Sequence, residues 1–336
     1  MRRALVFLAL AATTLGASAC GVAAKQATAD RIIGAAQSAL SAGGVAGTLS
    51  VQVVPLPGPR PTAPGPQRIR AAKAGPLAMV VYPGRGEAQV STAAGQPPAL
   101  IFTPNRMYER RPGPGSSDVQ SLLNAAGGGV SNLMVLSAPA SASLGALAGG
   151  ISGLGGSGAQ AGGAASGGLG TSRPWVSLDF ASLPRQAQDQ AAGSFAFNPA
   201  LLLRLVAGTL TGSVKPTSES RTTTAESAGY RFYRVNFDLD KAEKGMADTS
   251  KQVVARVLQA NAVTATVFPG EVWLDPHGHL GGFAVSFIQR LDQDTRALQI
   301  VIVDLTGTVP SRSVAAPGPD QVISVSSLGA LVHGVA

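Results

Sequence analysis

Apolar and polar residues alternate most regularly between Gly229 and Thr306. Alternation broken by turn residues predicts antiparallel strands with one packed face, here at 230–238, 271–275, 280–288 and 298–305. In the first of these, Tyr233, Val235, Phe237 and Leu239 share a face, and the other turns polar at Arg234, Asn236 and Asp238. Asp275-Pro276-His277-Gly278-His279 is the turn between the second and third. Between the first and second the period changes to that of a helix. Met246, Val253, Val254, Val257 and Leu258 form its stripe over 240–260, and Asp240-x-x-Glu243 has the form of a capping box.

Upstream the pattern is more broken. Ile32, Ile33, Ala36 and Leu40 predict a helix over 30–42, with Asp30 as N-cap and Gly43-Gly44 as the stop. Leu49, Val51 and Val53 alternate with Ser50 and Gln52 in a strand at 45–54. The proline-rich 55–66 is a loop, since proline does not sit in a central strand. Further strands are predicted at 77–82 and 99–108, and a short helix at 118–125. At 173–180, Val176, Leu178 and Phe180 lie on one side of a strand and Trp175, Ser177 and Asp179 on the other. Asn198-Pro199 opens a helix with asparagine as cap and proline at the first turn, and Gly208 ends it. Leu201, Leu202, Leu203, Leu205 and Val206 make this helix apolar nearly all round. Such a helix is buried on several sides or faces an apolar cavity. Strands at 210–214 and 219–225 lead into the regular block. After residue 309 the chain reads as a loosely ordered tail, in which Val322–Val325 is either an edge strand or loose.

Composition separates one segment from the rest. Residues 127–172 are dominated by Gly, Ala and Ser, and 137–172 read as a low-complexity insertion. Gly153, Gly155 and Gly158 match a dinucleotide-binding spacing there, but no strand precedes them and no βαβ context follows. Net charge is +8 with only 13% charged residues, and Arg2 and Arg3 supply two of the positive charges. No Arg/Lys run is interleaved with aromatics, which argues against nucleic acid as a partner. His277 and His279 with Asp275 supply too few ligands for a metal, and the bland alternative is a polar hairpin turn. No Gly-x-Ser-x-Gly occurs. Asp292 and Asp294 flank a loop, and Asp238 and Asp240 start a helix. Trp175 and Trp273 are sheet-packing residues or platforms for a ligand. No catalytic residue, metal or cofactor is read from the chain, which is not expected to be an enzyme.

The N-terminus carries Arg2-Arg3, a short apolar run at 4–12 and small residues before Cys20. This is the form of a secretory signal peptide over 1–19. Its end resembles a bacterial lipobox, although Ala17 stands where that motif usually has leucine. In that resemblance the thiol of Cys20, the only cysteine, takes a diacylglycerol group. Residues 20–29 would be a lipidated tether, and the protein would sit on the outer face of the plasma membrane. The alternative is a secreted protein beginning at Cys20, because Ala17-x-Ala19 also suits the ordinary signal peptidase.

A wider resemblance rests on four elements in order. They are Pro174-Trp175-Val176-x-Leu178-Asp179; Asn198-Pro199-x-Leu201-Leu202 with Leu205-x-x-Gly208; Tyr230 through Asp238-Leu239-Asp240-Lys241-Ala242; and Glu271-Val272-Trp273-Leu274-Asp275-x-x-Gly278. Together they resemble the actinobacterial LprG/LppX-type lipoproteins of the LolA-like superfamily. The resemblance implies an α+β fold over 30–309: a curved antiparallel half-open β-barrel with helices packed in its concave side. It also implies an apolar cavity for the acyl chains of a lipid or glycolipid, for carriage or presentation. Candidate lining residues are Leu201, Leu202, Leu205, Val206, Val254, Leu258, Phe283, Val285 and Phe287. Gly281, Gly282 and Ala284 would leave space beside them or simply bend the sheet. The competing expectation is an envelope lipoprotein that binds a protein partner and carries no lipid.

Overall fold

The computed structural model describes residues 23–56, 72–110, 173–180, 198–219, 229–260, 263–290 and 296–325. Among the described residues twelve strands form one sheet. In chain order they are β1 (Gly44–Leu56), β2 (Ala72–Tyr82), β3 (Glu87–Ser91), β4 (Leu100–Phe102), β5 (Arg106–Arg110) and β6 (Trp175–Asp179). Then come β7 (Lys215–Thr217), β8 (Arg231–Asp238), β9 (Val267–Leu274), β10 (Leu280–Arg290), β11 (Arg296–Val309) and β12 (Val322–Val325). Their spatial order is β12-β6-β5-β4-β3-β2-β1-β11-β10-β9-β8-β7, so the sheet has two ends and is not closed into a barrel. Among the described residues four helices accompany it: α1 (23–41), α2 (Pro199–Ala207), α3 (Leu239–Ala242) and α4 (Asp248–Ala260). The class is α+β, as expected. The sheet is mixed, not purely antiparallel, because β12 runs parallel to β6.

The period of two decides which side chains meet the helices. Leu49 and Val51 of β1, Val301 and Val303 of β11, and Phe283, Val285 and Phe287 of β10 project to one face. There they join Ala29, Ile32, Ala35 and Ala36 of α1 and the apolar residues of α2 in one core. The opposite face holds two smaller clusters. One gathers Trp273, Ala284, Ile300 and Ile302. The other contains Tyr82, Ile101, Tyr108 and Val314, and Val314 is brought there by the segment after β11. Residues 310–321 cross this face from β11 to the far edge. Arg312 Nε donates to Tyr82 Oη at 3.0 Å, and Val314 N to Glu87 Oε2 at 2.9 Å. Of the stretch read as a tail, residues 310–321 are therefore a strap and Val322–Val325 is an edge strand, while 326–336 lie outside the described residues.

Several boundaries differ from the sequence reading. Residues 23–29 belong to α1, so that part of the expected tether is helical and Asp30 lies inside the helix. The segment is rich in alanine with Lys25 and Gln26, all good helix formers, and Gln26 Nε2 donates to Asp30 Oδ1 at 2.9 Å. The single strand expected at 99–108 is two, because Thr103-Pro104-Asn105 turns the chain and pairs β4 with β5. β3 was not expected, being only five residues with Ala88 and Val90 facing inward. The helix expected over 240–260 is interrupted. α3 gives way to a 3-10 turn at Glu243–Gly245, and Met246 is extended, with φ −96° and ψ 147°. Its cap is Asp238, which accepts from Asp240 N and Lys241 N, so no Asp240–Glu243 box starts it. Residues 211–213 form a 3-10 turn where a strand at 210–214 was expected. The predicted helix at 118–125, the insertion at 137–172, the leader with Cys20, and all but Glu219 of the strand at 219–225 lie outside the described residues.

Candidate apolar cleft

α2 is fixed by its own sequence signals. Asn198 is extended, with φ −60° and ψ 122°, and its Oδ1 accepts from Ala200 N at 2.9 Å. Its Nδ2 donates to Gly86 O at 2.7 Å, which ties the cap to the turn between β2 and β3. Arg204, six residues further along, donates from Nη2 to Pro83 O beside Gly86 at 3.2 Å. The other end is tied to β8 and α3. Asp238 N donates to Gly208 O at 2.9 Å, and a Cβ on Gly208 would stand 2.3 Å from Asp238 O. Asn198 is buried, so Asn198→Ala removes a helix cap and leaves the Gly86 carbonyl without its donor. The expected loss is about 2 kcal/mol, measured as a shift in the urea midpoint.

The helices enclose a small apolar cleft against β9 and β10. Leu201, Leu202 and Leu205 of α2 form one wall, and Leu239 and Ala242 of α3 with Met246 form another. Val254 and Leu258 of α4 close it from above, while Phe268 and Phe287 make the floor. The two floor rings stand 4.9 Å apart at 59°. Arg204 is the one charged residue on the wall. The enclosed volume is about 30 Å³, room for one or two waters and far below the roughly 300 Å³ of small-molecule sites. α2 packs its backbone closely on α3, β8, β2 and β3; α4 is held by the side chains of its inward face. It reaches the core mainly through Val253, Val254 and Leu258.

Six of the nine expected lining residues come together on this wall: Leu201, Leu202, Leu205, Val254, Leu258 and Phe287. Val206, Phe283 and Val285 are fully buried in the surrounding core and are not part of the wall. Arg204, Leu239, Ala242, Met246 and Phe268 were not named in advance. Arg204 had a legible signal, as the only charge in an otherwise apolar helix. Phe268 had none, because the Pro269-Gly270 that follows it reads as a turn when it is in fact mid-strand.

Gly281, Gly282 and Ala284 do not widen the cleft. Gly281 lies where the β9–β10 register shifts, and a Cβ on it would meet Tyr230 at 2.5 Å. Gly282 has φ 157°, and its Cβ would stand 2.6 Å from the Trp273 ring and 2.3 Å from Val303 O. These glycines admit the aromatic rings of the opposite face, where Ala284 and the buried Trp273 pack together. Trp273 is thus a sheet-packing residue.

The His277–His279 segment is a turn built on Asp275. Oδ1 of Asp275 accepts from the backbone N of His277 and of His279, both at 2.8 Å, and Oδ2 lies 3.0 Å from His279 Nδ1. Burial alone would raise the Asp275 pKa. The hydrogen bonds from the backbone and ring of His279 and the backbone of His277 outweigh it and lower the value below 3.8. A carboxylate depressed on folding stabilises fully above its unfolded value and loses that contribution as pH falls through the folded one. The difference in urea midpoint between the protein and Asp275→Asn is therefore expected to be constant at neutral pH and to shrink below about pH 4. Among the described residues no group of three His, Cys, Asp or Glu side chains is placed to hold a metal. No helix among them is long and apolar enough to cross a membrane.

The chain thus defines an α+β class built on one open, mixed twelve-stranded sheet with an apolar cleft beneath its helices. Compared with known proteins, it matches no family model and no curated protein.

Proposed function

We propose that this protein is a membrane-anchored extracytoplasmic lipoprotein of LolA-like fold, similar to the LprG/LppX type. In this reading its cleft takes the acyl chain of a lipid or glycolipid for carriage or presentation. The observation that carries the reading is the cleft itself. Helices α2, α3 and α4 turn leucine, alanine and valine side chains, together with Met246 and the strand residues Phe268 and Phe287, toward one space. A chain entering it leaves water at a gain of about 0.8 kcal/mol per CH₂. The volume must grow for this, and α4, which follows the 3-10 turn at Glu243–Gly245 and the extended Met246, is the element that would move. The leader and Cys20 support an anchor on the outer face of the plasma membrane, which two or three acyl chains hold stably.

The closed state of the cleft favours a second reading, an envelope lipoprotein that presents a surface to a protein partner and carries no lipid. Solvent extraction of Cys20→Ala protein purified from its native host, followed by mass spectrometry, separates the two. The carrier reading expects co-purified lipid at near one equivalent. Lipid-free protein that also fails to take up added lipid would sink it. The same variant should move from the membrane fraction to the medium, and unchanged partition would refute the anchor.

A further inference from the structure

Arg204 bears on which lipid the cleft would accept. The residue is half-buried on α2, on a wall otherwise made of apolar side chains. One N–H of its guanidinium donates to Pro83 O at 3.2 Å, and it forms no ion pair with any carboxylate of the described residues. A guanidinium carries five N–H donors in a planar fork, so most of them remain for a ligand. That fork matches a carboxylate or a phosphate better than a hydroxyl or an ester. A second cation, the exposed Arg85, belongs to the same turn as Pro83. A half-desolvated cation on an apolar wall selects a ligand that is apolar along its length and anionic at one end.

We infer that the cleft is specific for a single alkyl chain ending in an acid, with the acid on Arg204 and the chain running toward Phe268 and Phe287. This rests on the acyl-chain reading above and narrows it. A neutral lipid of equal chain length places nothing on the guanidinium and must leave its remaining donors partly desolvated.

Binding of palmitate, of the lysophosphatidate with the same chain, and of hexadecanol to the Cys20→Ala protein tests this by calorimetry. The expected result is that both acids bind at least about tenfold more tightly than the alcohol. Comparison of the two acids tells whether carboxylate or phosphate is preferred. Arg204→Gln should bring the acid-to-alcohol ratio close to one, and Arg204→Lys should keep part of it. If Arg204→Gln does not fold, salt decides on the unaltered arginine: the ratio should fall as ionic strength rises, while alcohol binding does not weaken. A ratio near one in the Cys20→Ala protein, a ratio that survives Arg204→Gln, or one indifferent to salt overturns the inference and leaves the acyl-chain reading standing. Failure of all three ligands to bind refutes that reading itself.

Discussion

Gly270→Val is expected to leave no folded protein. Gly270 lies in the middle of β9, between β8 and β10, paired with Val235 on one side and Val285 on the other. A Cβ there would stand 2.3 Å from Cε2 of Phe237 and 2.4 Å from the carbonyl oxygen of Ala284. The Phe237 ring is fully buried and has nowhere to turn, and the Ala284 carbonyl is backbone. Relief would require separating two central strands. The cost should exceed about 4 kcal/mol, a large share of the 5–15 kcal/mol that holds an ordinary domain together. Soluble yield and the urea midpoint read the result. Gly212→Ala is the control. Nothing lies within 4 Å of the Cβ it would add, and its φ is outside the left-handed range, so stability should change by less than about 0.5 kcal/mol. A folded Gly270→Val protein of normal stability would mean that β9 does not run between β8 and β10 as described.

Phe287→Ala should cost about 3–5 kcal/mol and convert the floor of the cleft into a larger hole. Phe287 is 1% exposed and stacks at an angle on Phe268. Its partner across the ladder, Gln299 of β11, is backbone-paired and cannot collapse into the space. A larger apolar void stays dry and takes up small apolar solutes. Xenon or benzene should therefore raise the melting temperature of Phe287→Ala more than that of the unaltered protein. An equal response in both would show that the side chain does not border the cleft.

The parts that could be read from sequence are those where one local rule governs. Asn198-Pro199 and Gly208 bound α2 as capping chemistry requires, and the alternation from Tyr233 to Leu239 placed the right residues inward. The parts that could not be read depend on distant segments. Nothing local marks Val314 as the residue that seals Tyr82 and Tyr108, since a strap is defined by what it crosses. Pro269-Gly270 carries the local signature of a turn. It is a strand because Phe237 needs the missing side chain at Gly270. Gly281 and Gly282 read locally as either space or a bend for the same reason: their small size serves Tyr230 and Trp273 on the opposite face, where the register shifts. Six cleft residues were legible because helical stripes point at something. Which of the inward strand residues also border it depends on where the helices lie over the sheet, a placement no periodicity encodes.

The order of strands has a kinetic consequence. β1 through β6 add to one another in sequence, as do β7 through β11, but the two runs meet only where β1 pairs with β11. At that seam Gly44 sits opposite Val309 and Leu56 opposite Arg296. Closing so long a loop adds only a few kcal/mol of chain entropy, but it must come before the contacts that reward it. Each run can pair its own neighbours early, yet the core they share is incomplete until the seam forms. A chain emerging N-terminus first therefore carries an unpaired edge on β1 for nearly its whole length of synthesis. Such a chain locks only when its last long strand, β11, arrives.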